Sequence, residues 1–320
     1  MLSRIAEALY WMGRHVERAD TTARILDTYL HLLPSGAWKS ENLVLRELVE
    51  TMSLAPEMPR DPELLIRALV FDGDRPSSVS GALIAARDNA RGVRDVVPTE
   101  VWECLNVTWH GLRTRGSGSA GPHTFLRWVA ERGAMANGLI NQMMSHDEGW
   151  HFMRVGRSLE RADLMVRLLA SAAQSSATPW RALVTATGGF EPYVRYYGRN
   201  MGRRSAFAFV LLDRNFPRSI YRAMSAAENS LAQLDSPANM HQDPRRDPSS
   251  ARRLVGRART TLEYRSGTEI DDDLPGTLTT LQRAIDNAHV AITKSFFHQG
   301  DPVTWSSQSS LAGHSVTTIR

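Results

Sequence analysis

Apolar residues recur every three or four positions along most of the chain, and stretches that alternate apolar with polar residues are scarce. That spacing matches one face of an α-helix rather than a half-buried strand, and it predicts an all-α fold. A long first helix is predicted over Ser3–Leu32, stopped by Pro34-Ser35-Gly36. Shorter helices are predicted at 41–53, 62–71, 77–96 and from 98–99 onward through Trp102, Leu105 and Trp109. The glycine- and serine-rich stretch 115–122 reads as a loop, and a helix over 124–144 comes next. Ser145-His146-Asp147-Glu148 has the Ser-x-x-Glu form of a capping box and predicts a second long helix ending near Ala173. Beyond it, Pro179, Gly188-Gly189 and Pro192 break the chain into short pieces. Later helices are predicted at 202–212, 217–234, 248–267 and 275–297, separated by loops at 236–248 and at the acidic turn Asp271-Asp272-Asp273. Residues 302–320, rich in Ser and Thr and poor in apolar spacing, predict a disordered tail. The expected organisation is one helical domain over 1–301, built from two related parts at about 1–114 and 123–301.

The two long helices carry the same motif. Gly13-Arg14-His15-Val16-Glu17-Arg18-Ala19-Asp20 corresponds to Gly156-Arg157-Ser158-Leu159-Glu160-Arg161-Ala162-Asp163, and the register continues from Arg24 to Arg167 without insertion. Such a duplication predicts a bundle organised around two related helices. On a helix, Arg14, Glu17, Arg18 and Thr21 share one face, as do Arg157, Glu160, Arg161 and Leu164. Met12, Val16, Ala19, Ala23 and Leu26 form an apolar back, matched by Val155, Leu159, Ala162, Val166 and Leu169. Asp20 with Arg24, and Asp163 with Arg167, form acidic-before-basic pairs one turn apart. Gly13 and Gly156 are costly inside a helix and predict the close approach of another backbone. The ten ionic residues Arg14, Glu17, Arg18, Asp20, Arg24, Arg157, Glu160, Arg161, Asp163 and Arg167 are the candidate site. One reading has the two helices cross with their carboxylates bridged by arginines. The other has the arginines line a cleft and receive a carboxylate or phosphate.

Composition narrows the function classes. The chain has 320 residues, 42% of them hydrophobic, enough for a substantial core, and a formal net charge of +4 that is spread along the chain. That excess does not call for nucleic acid. Only Lys39 and Lys294 are lysines; the other basic residues counted in that charge are arginines, whose planar fork suits two-point binding of carboxylate or phosphate. A single cysteine, Cys104, leaves no intramolecular disulfide and fits a reducing, cytoplasmic setting. The opening residues, interrupted by Arg4 and Glu7, do not read as a signal peptide, and the apolar run 206–212 is far shorter than the roughly 20 residues of a membrane span.

The strings Ala8-Leu9-Tyr10-Trp11-Met12-Gly13-Arg14 and Glu17-Arg18-Ala19-Asp20-Thr21-Thr22-Ala23-Arg24 resemble the opening signature of the bacterial alpha-E domain family. Asp147-Glu148-Gly149-Trp150, residues 156–167, 100–106 and 211–219 extend the resemblance over nearly all of the chain except its tail. The resemblance implies a helical protein encoded beside a circularly permuted ATP-grasp ligase-like protein and a transglutaminase-like cysteine peptidase, in a peptide or amide ligation system. It carries over only the Glu-Arg positions Glu17, Arg18, Glu160 and Arg161.

Other constellations are weaker. Glu148-Gly-Trp-His151 and Asp286-Asn-Ala-His289 approximate the Glu-x-x-His spacing of helical di-iron sites, but two further carboxylates are not identifiable, so no metal and no cofactor is called for. Cys104 sits among Trp102, Leu105 and Trp109 as a buried thiol would. No phosphate-binding glycine loop is present, which leaves ATP to a partner. Arg195, Arg199, Arg203 and Arg204 interleave with Tyr193, Tyr196 and Tyr197, a composition open to single-stranded nucleic acid, yet solvated helix faces explain it as well. The leading expectation is an accessory or substrate-binding subunit of the ligation system. The alternative is a helical enzyme with the duplicated Glu/Arg face as its active site, and nucleic-acid binding comes third.

Overall fold

The computed structural model describes residues 1–32, 38–54, 61–115, 121–174, 178–235, 250–265 and 267–297. The expected tail at 302–320 and the loop at 236–248 lie outside them, as do Pro34-Ser35-Gly36 and the middle of the 115–122 stretch. Among the described residues there is no strand, and the fold is all-α. Its elements are α1 (Ser3–Leu32), α2 (Trp38–Thr51), α3 (Pro62–Val70), α4 (Val79–Gly92), α5 (Thr99–Arg115), α6 (Gly121–Met143) and α7 (Glu148–Gln174). They continue as α8 (Trp180–Ala186), α9 (Phe190–Tyr197), α10 (Arg203–Leu212), α11 (Ile220–Leu234), α12 (Ala251–Tyr264), α13 (Gly267–Asp272) and α14 (Leu274–Phe296). No helix among the described residues is long and apolar enough to cross a membrane.

The two motif helices, α1 and α7, lie against each other at the centre. Each is flanked by its own helices: α1 by α4 and α6, α7 by α11 and α14. Two short elements are exchanged, since α8 packs on α1 and α2 packs on α7. The apolar backs do bury: Met12, Ala19, Ala23, Leu26, Val155, Leu159, Ala162 and Leu169 are all inaccessible. The ionic fronts bury too, with Glu17, Thr21 and Glu160 equally inaccessible, because the front of each helix faces the other.

A close approach makes this possible. A Cβ on Gly13 would lie 2.2 Å from the Met153 carbonyl oxygen, and one on Gly156 would lie 2.1 Å from that of Tyr10. Met153 is the counterpart of Tyr10 in the duplication, so the two contacts are the same contact seen from either helix. With Arg18 opposite Glu160 and Arg161 opposite Glu17 further along, α1 and α7 run side by side in the same direction and in register.

A second repeat supports the first. Asp72 to Ser78, before α4, and Asp213 to Ser219, before α11, share an Asp-x-x-x-Pro-x-Ser pattern that lies outside the helix motif. In both, the aspartate carboxylate accepts from the backbone two residues on, at Asp74 N (3.1 Å) and Asn215 N (2.8 Å). In both, the serine hydroxyl donates to the aspartate carbonyl and caps the next helix, accepting from Gly81 N at 2.9 Å and Arg222 N at 3.1 Å.

Three local expectations need correction. The Ser145–Glu148 capping box does not form; Asp147 Oδ1 caps α7 instead, accepting from Gly149 N (2.9 Å) and Trp150 N (3.2 Å), a charged acceptor at the positive helix end. Glu148 is drawn away to the Met1 ammonium at 3.0 Å. The acidic turn at 271–273 is partly helical: Asp272 ends α13, and Asp273 caps α14 through Gly276 N at 3.2 Å. The helix expected to reach residue 96 ends at Gly92.

Gly13→Ala and Gly156→Ala should each lower the unfolding free energy in urea by about 1–3 kcal/mol, the usual cost of overpacking. Gly138→Ala, in α6 with nothing within 4 Å of the added methyl, should raise it by roughly 0.5–1 kcal/mol. Similar small effects at all three positions would refute the close approach of α1 and α7.

Candidate functional site

Each motif glutamate is clasped by the other helix. Arg18 donates from Nε to Glu160 Oε1 at 2.5 Å and from Nη2 to Oε2 at 3.1 Å. Reciprocally, Arg161 donates from Nε to Glu17 Oε1 at 2.8 Å and from Nη2 to Oε2 at 2.6 Å. Both are two-point fork contacts of the kind arginine makes and lysine does not. The forks are anchored at their remaining nitrogen by the repeated loops: Arg18 Nη1 donates to the Pro76 carbonyl at 3.4 Å, Arg161 Nη1 to the Pro217 carbonyl at 3.0 Å. The second repeat thus holds the first in place.

Around this symmetric centre the halves differ. Arg14 adds a third bond to Glu160, from Nε to Oε2 at 2.6 Å, and approaches the Tyr10 hydroxyl at 3.5 Å. Its counterpart Arg157 turns away from Glu17 to the amides of Asn137 (3.2 Å) and Asn141 (3.4 Å). Glu17 is completed instead by Thr21 Oγ1, donating at 2.8 Å, and by Arg218 at 3.4 Å. Arg218 also reaches Asp20 Oδ2 at 2.8 Å and Thr21 at 2.5 Å. Arg218 is not among the motif residues; it stands at an unshared position of the second Asp-x-x-x-Pro-x-Ser loop, where the first has Ser77, so the repeat gives no signal for it. Asp20 takes Arg24 Nε at 2.8 Å, while Asp163 takes Arg167 through Nη2 and the Gln282 amide at 2.7 Å.

Charge balance sets how these groups titrate. Burial alone would raise both glutamates, but the facing guanidiniums outweigh it and hold Glu17 and Glu160 down at about 2. Burial pulls Arg157 down to about 10, with Arg161 beside it acting in the same sense. His15, packed on Trp11, is pushed down to about 4 by burial and by Arg18, and its Nδ1 is buried without a partner. His289, whose Nδ1 meets the Tyr10 hydroxyl at 2.9 Å, is lowered as well, chiefly by burial.

The Glu-x-x-His-like pairs do not assemble. His151 and Glu148 do not converge, since Glu148 is held by Met1, and Asp286 bonds Gln282 while His289 bonds Tyr10. The fold instead brings together Asp27, His31 and His123, whose possible ligating atoms lie within 4.8 Å of one another. His123 Nδ1 and Asp27 Oδ1 are 2.7 Å apart, and the two imidazoles stack. These three could hold a metal; the histidines come from α1 and α6, a separation that no local spacing rule detects. Cys104 is buried, its thiol raised by burial, with Arg132 bonding its carbonyl and sulfur. Tyr193 is fully buried and its hydroxyl ties Gly202 to Ser205, so it is unavailable to stack on a base.

Glu17→Gln and Glu160→Gln should each lower stability by about 3–5 kcal/mol, because buried guanidiniums lose their counter-charge. Both glutamates have folded-state values below the ordinary 4.5, so their stabilisation is complete above pH 4.5 and is lost as pH falls through about 2. The His15 value is also depressed, so its contribution is complete above pH 6.5 and is lost as pH falls through about 4. In urea titrations across pH, His15→Gln should flatten the wild-type slope between 6.5 and 4, and Glu160→Gln the slope below 4.5. Unchanged slopes in both variants would refute the assignment.

Similarity to known proteins agrees with this architecture. Residues 1–297 match the model of the alpha-E family, described as a predicted alpha-helical domain with a conserved ER motif. The uncharacterized protein Mb2597 of Mycobacterium bovis is 24% identical over 262 residues, covering 72% of this chain and 30% of that protein. The uncharacterized protein Rv2567 of Mycobacterium tuberculosis matches with the same identity and coverage. The chain thus spans under a third of the length of these curated relatives. No solved structure matches. With Glu17-Arg18 and Glu160-Arg161 as two copies of the ER pair, the chain belongs to the alpha-E family.

Proposed function

We propose that this protein is an accessory, substrate-binding subunit of an ATP-grasp-associated peptide or amide ligation system. It docks a circularly permuted ATP-grasp-like protein, which supplies ATP chemistry, and works in the same system as a transglutaminase-like peptidase. The observation that carries the non-catalytic half of this reading is the state of Glu17 and Glu160. Both are inaccessible, both carboxylates are occupied by arginine forks, and both are held near 2. A general base needs a reachable lone pair and a value near the working pH, and neither glutamate has either. The length of the relatives fits as well: there the matching segment is under a third of a longer chain, as suits a module that works beside others. The partner assignment rests on the family resemblance.

The test is co-purification of the full chain with the neighbouring ATP-grasp-like protein, followed by ATP turnover of the pair. A stable complex is expected, with turnover lost when the ATP-grasp protein is left out. Glu160→Gln, measured where circular dichroism shows it folded, should keep turnover in the complex. Absence of a complex would overturn the accessory reading. Loss of turnover with fold and complex intact would instead place the active site on the duplicated Glu/Arg face.

A further inference from the structure

The outer end of the second motif opens onto a cavity of about 660 Å³ between α7 and α14. Its volume is in the range that takes drug-sized ligands. Val166, Ala170 and Leu278 supply apolar wall, while Arg167, Gln282 and Asp286 supply polar groups. Two polar atoms in these side chains, Arg167 Nε and Gln282 Oε1, are buried and lack any hydrogen-bond partner. A buried unpaired donor or acceptor costs about 1–3 kcal/mol, so each is a place where a ligand gains by bonding.

Comparison with the first half explains how the cavity and its two unpaired atoms arise together. Ala170 and Ala173 stand where α1 carries Asp27 and Leu30, and these smaller side chains leave room. Arg24 spends its Nε on Asp20, whereas Arg167 binds Asp163 through Nη2 and leaves Nε over. The second oxygen of Asp20 takes Arg218, a cation, but that of Asp163 takes the Gln282 amide. The orientation of that amide is fixed by its neighbours: Nε2 faces the carboxylates of Asp163 (2.7 Å) and Asp286 (3.2 Å), so the oxygen must be the free atom. Neither atom is touched by solvent; the side-chain turn that would present it gives up the long, exposed bonds Arg167 Nη1 to Ser53 at 3.3 Å and Gln282 Nε2 to Asp286 at 3.2 Å, and works against the bonds that Arg167 Nη2 and Gln282 Nε2 (2.7 Å) make to Asp163.

We propose that this cavity binds a short peptide with aliphatic side chains, one backbone carbonyl accepting from Arg167 Nε and one backbone N–H donating to Gln282 Oε1. One donor and one acceptor over an apolar wall match an amide unit, whereas a phosphate or a bare carboxylate offers nothing to the glutamine oxygen. The inference rests on the substrate-binding reading for its biological use, but the binding itself needs no partner protein.

Isothermal titration of the full chain with N-acetyl-Ala-Leu-Ala-amide tests it. Saturable one-to-one binding is expected. Gln282→Met, or replacing one backbone N–H of the probe by an ester oxygen, should weaken it about tenfold, the effect of one lost hydrogen bond. Ala170→Phe, which fills the cavity, should abolish binding, and melting curves report whether each variant is folded. No binding at millimolar peptide, binding indifferent to both variants, or binding of free leucine but not the capped peptide would each overturn the proposal. The co-purification assay needs no peptide and this one no partner, so either can fail alone.

Discussion

Everything in this fold is arranged around two carboxylates that have no water. Taking a glutamate out of solvent costs several kcal/mol even after relaxation, and Glu17 and Glu160 are both fully sequestered. The arrangement is tolerable only because each receives a two-point guanidinium fork across a helix contact close enough for backbone to meet backbone. The glycines and the ion pairs are therefore one device. Without Gly13 and Gly156 the helices would stand further apart and the forks would not reach; without the forks the close approach would bury unpaired charge. A slip of one helical turn, about 5.4 Å, would break both two-point forks. The buried pairs thus specify a register more than they add stability.

Duplication gives this centre its symmetry, and the departures from symmetry mark where the halves serve different ends. The ER pairs, the glycines and the capping loops are kept in both copies. Arg14 and Arg157 are not equivalent in their bonds, and Arg218 has Ser77 as its counterpart. In the first half Asp20 is taken by two arginines. In the second, Asp163 and Arg167 border open space. At its outer pair the second copy leaves Arg167 Nε buried without a partner, where Arg24 Nε is taken by Asp20.

Much of this was legible in the chain itself. The helical period, the duplicated motif, the shared Arg/Glu face and the significance of the two glycines all come from spacing and backbone sterics. Spacing does not say what lies opposite a face, which is why an ionic front could be read as a cleft or as a seam. The capping of α7 depended on a competition between Ser145 and Asp147 that only the position of Met1 beside Glu148 resolves. The Asp27, His31 and His123 group was hidden because His123 comes from α6 while Asp27 and His31 lie on α1. Arg218 was hidden for a different reason: its partners lie on α1, and it stands at a position of its loop that the 72–78 copy fills with Ser77.

The separation between what holds the molecule together and what could act on a substrate has the same physical origin. A carboxylate saturated by guanidinium forks stays ionised through the whole physiological range and has no lone pair left to offer, so the innermost motif residues are the least suited to chemistry. Reactivity or recognition requires groups whose bonding is incomplete. Along the second copy, bonding is complete at Glu160, with both oxygens occupied, and incomplete at Arg167, with a buried nitrogen left over. The Glu-Arg pairs are therefore the structural centre of this molecule, and the incomplete bonding lies at the outer Asp163-Arg167 pair.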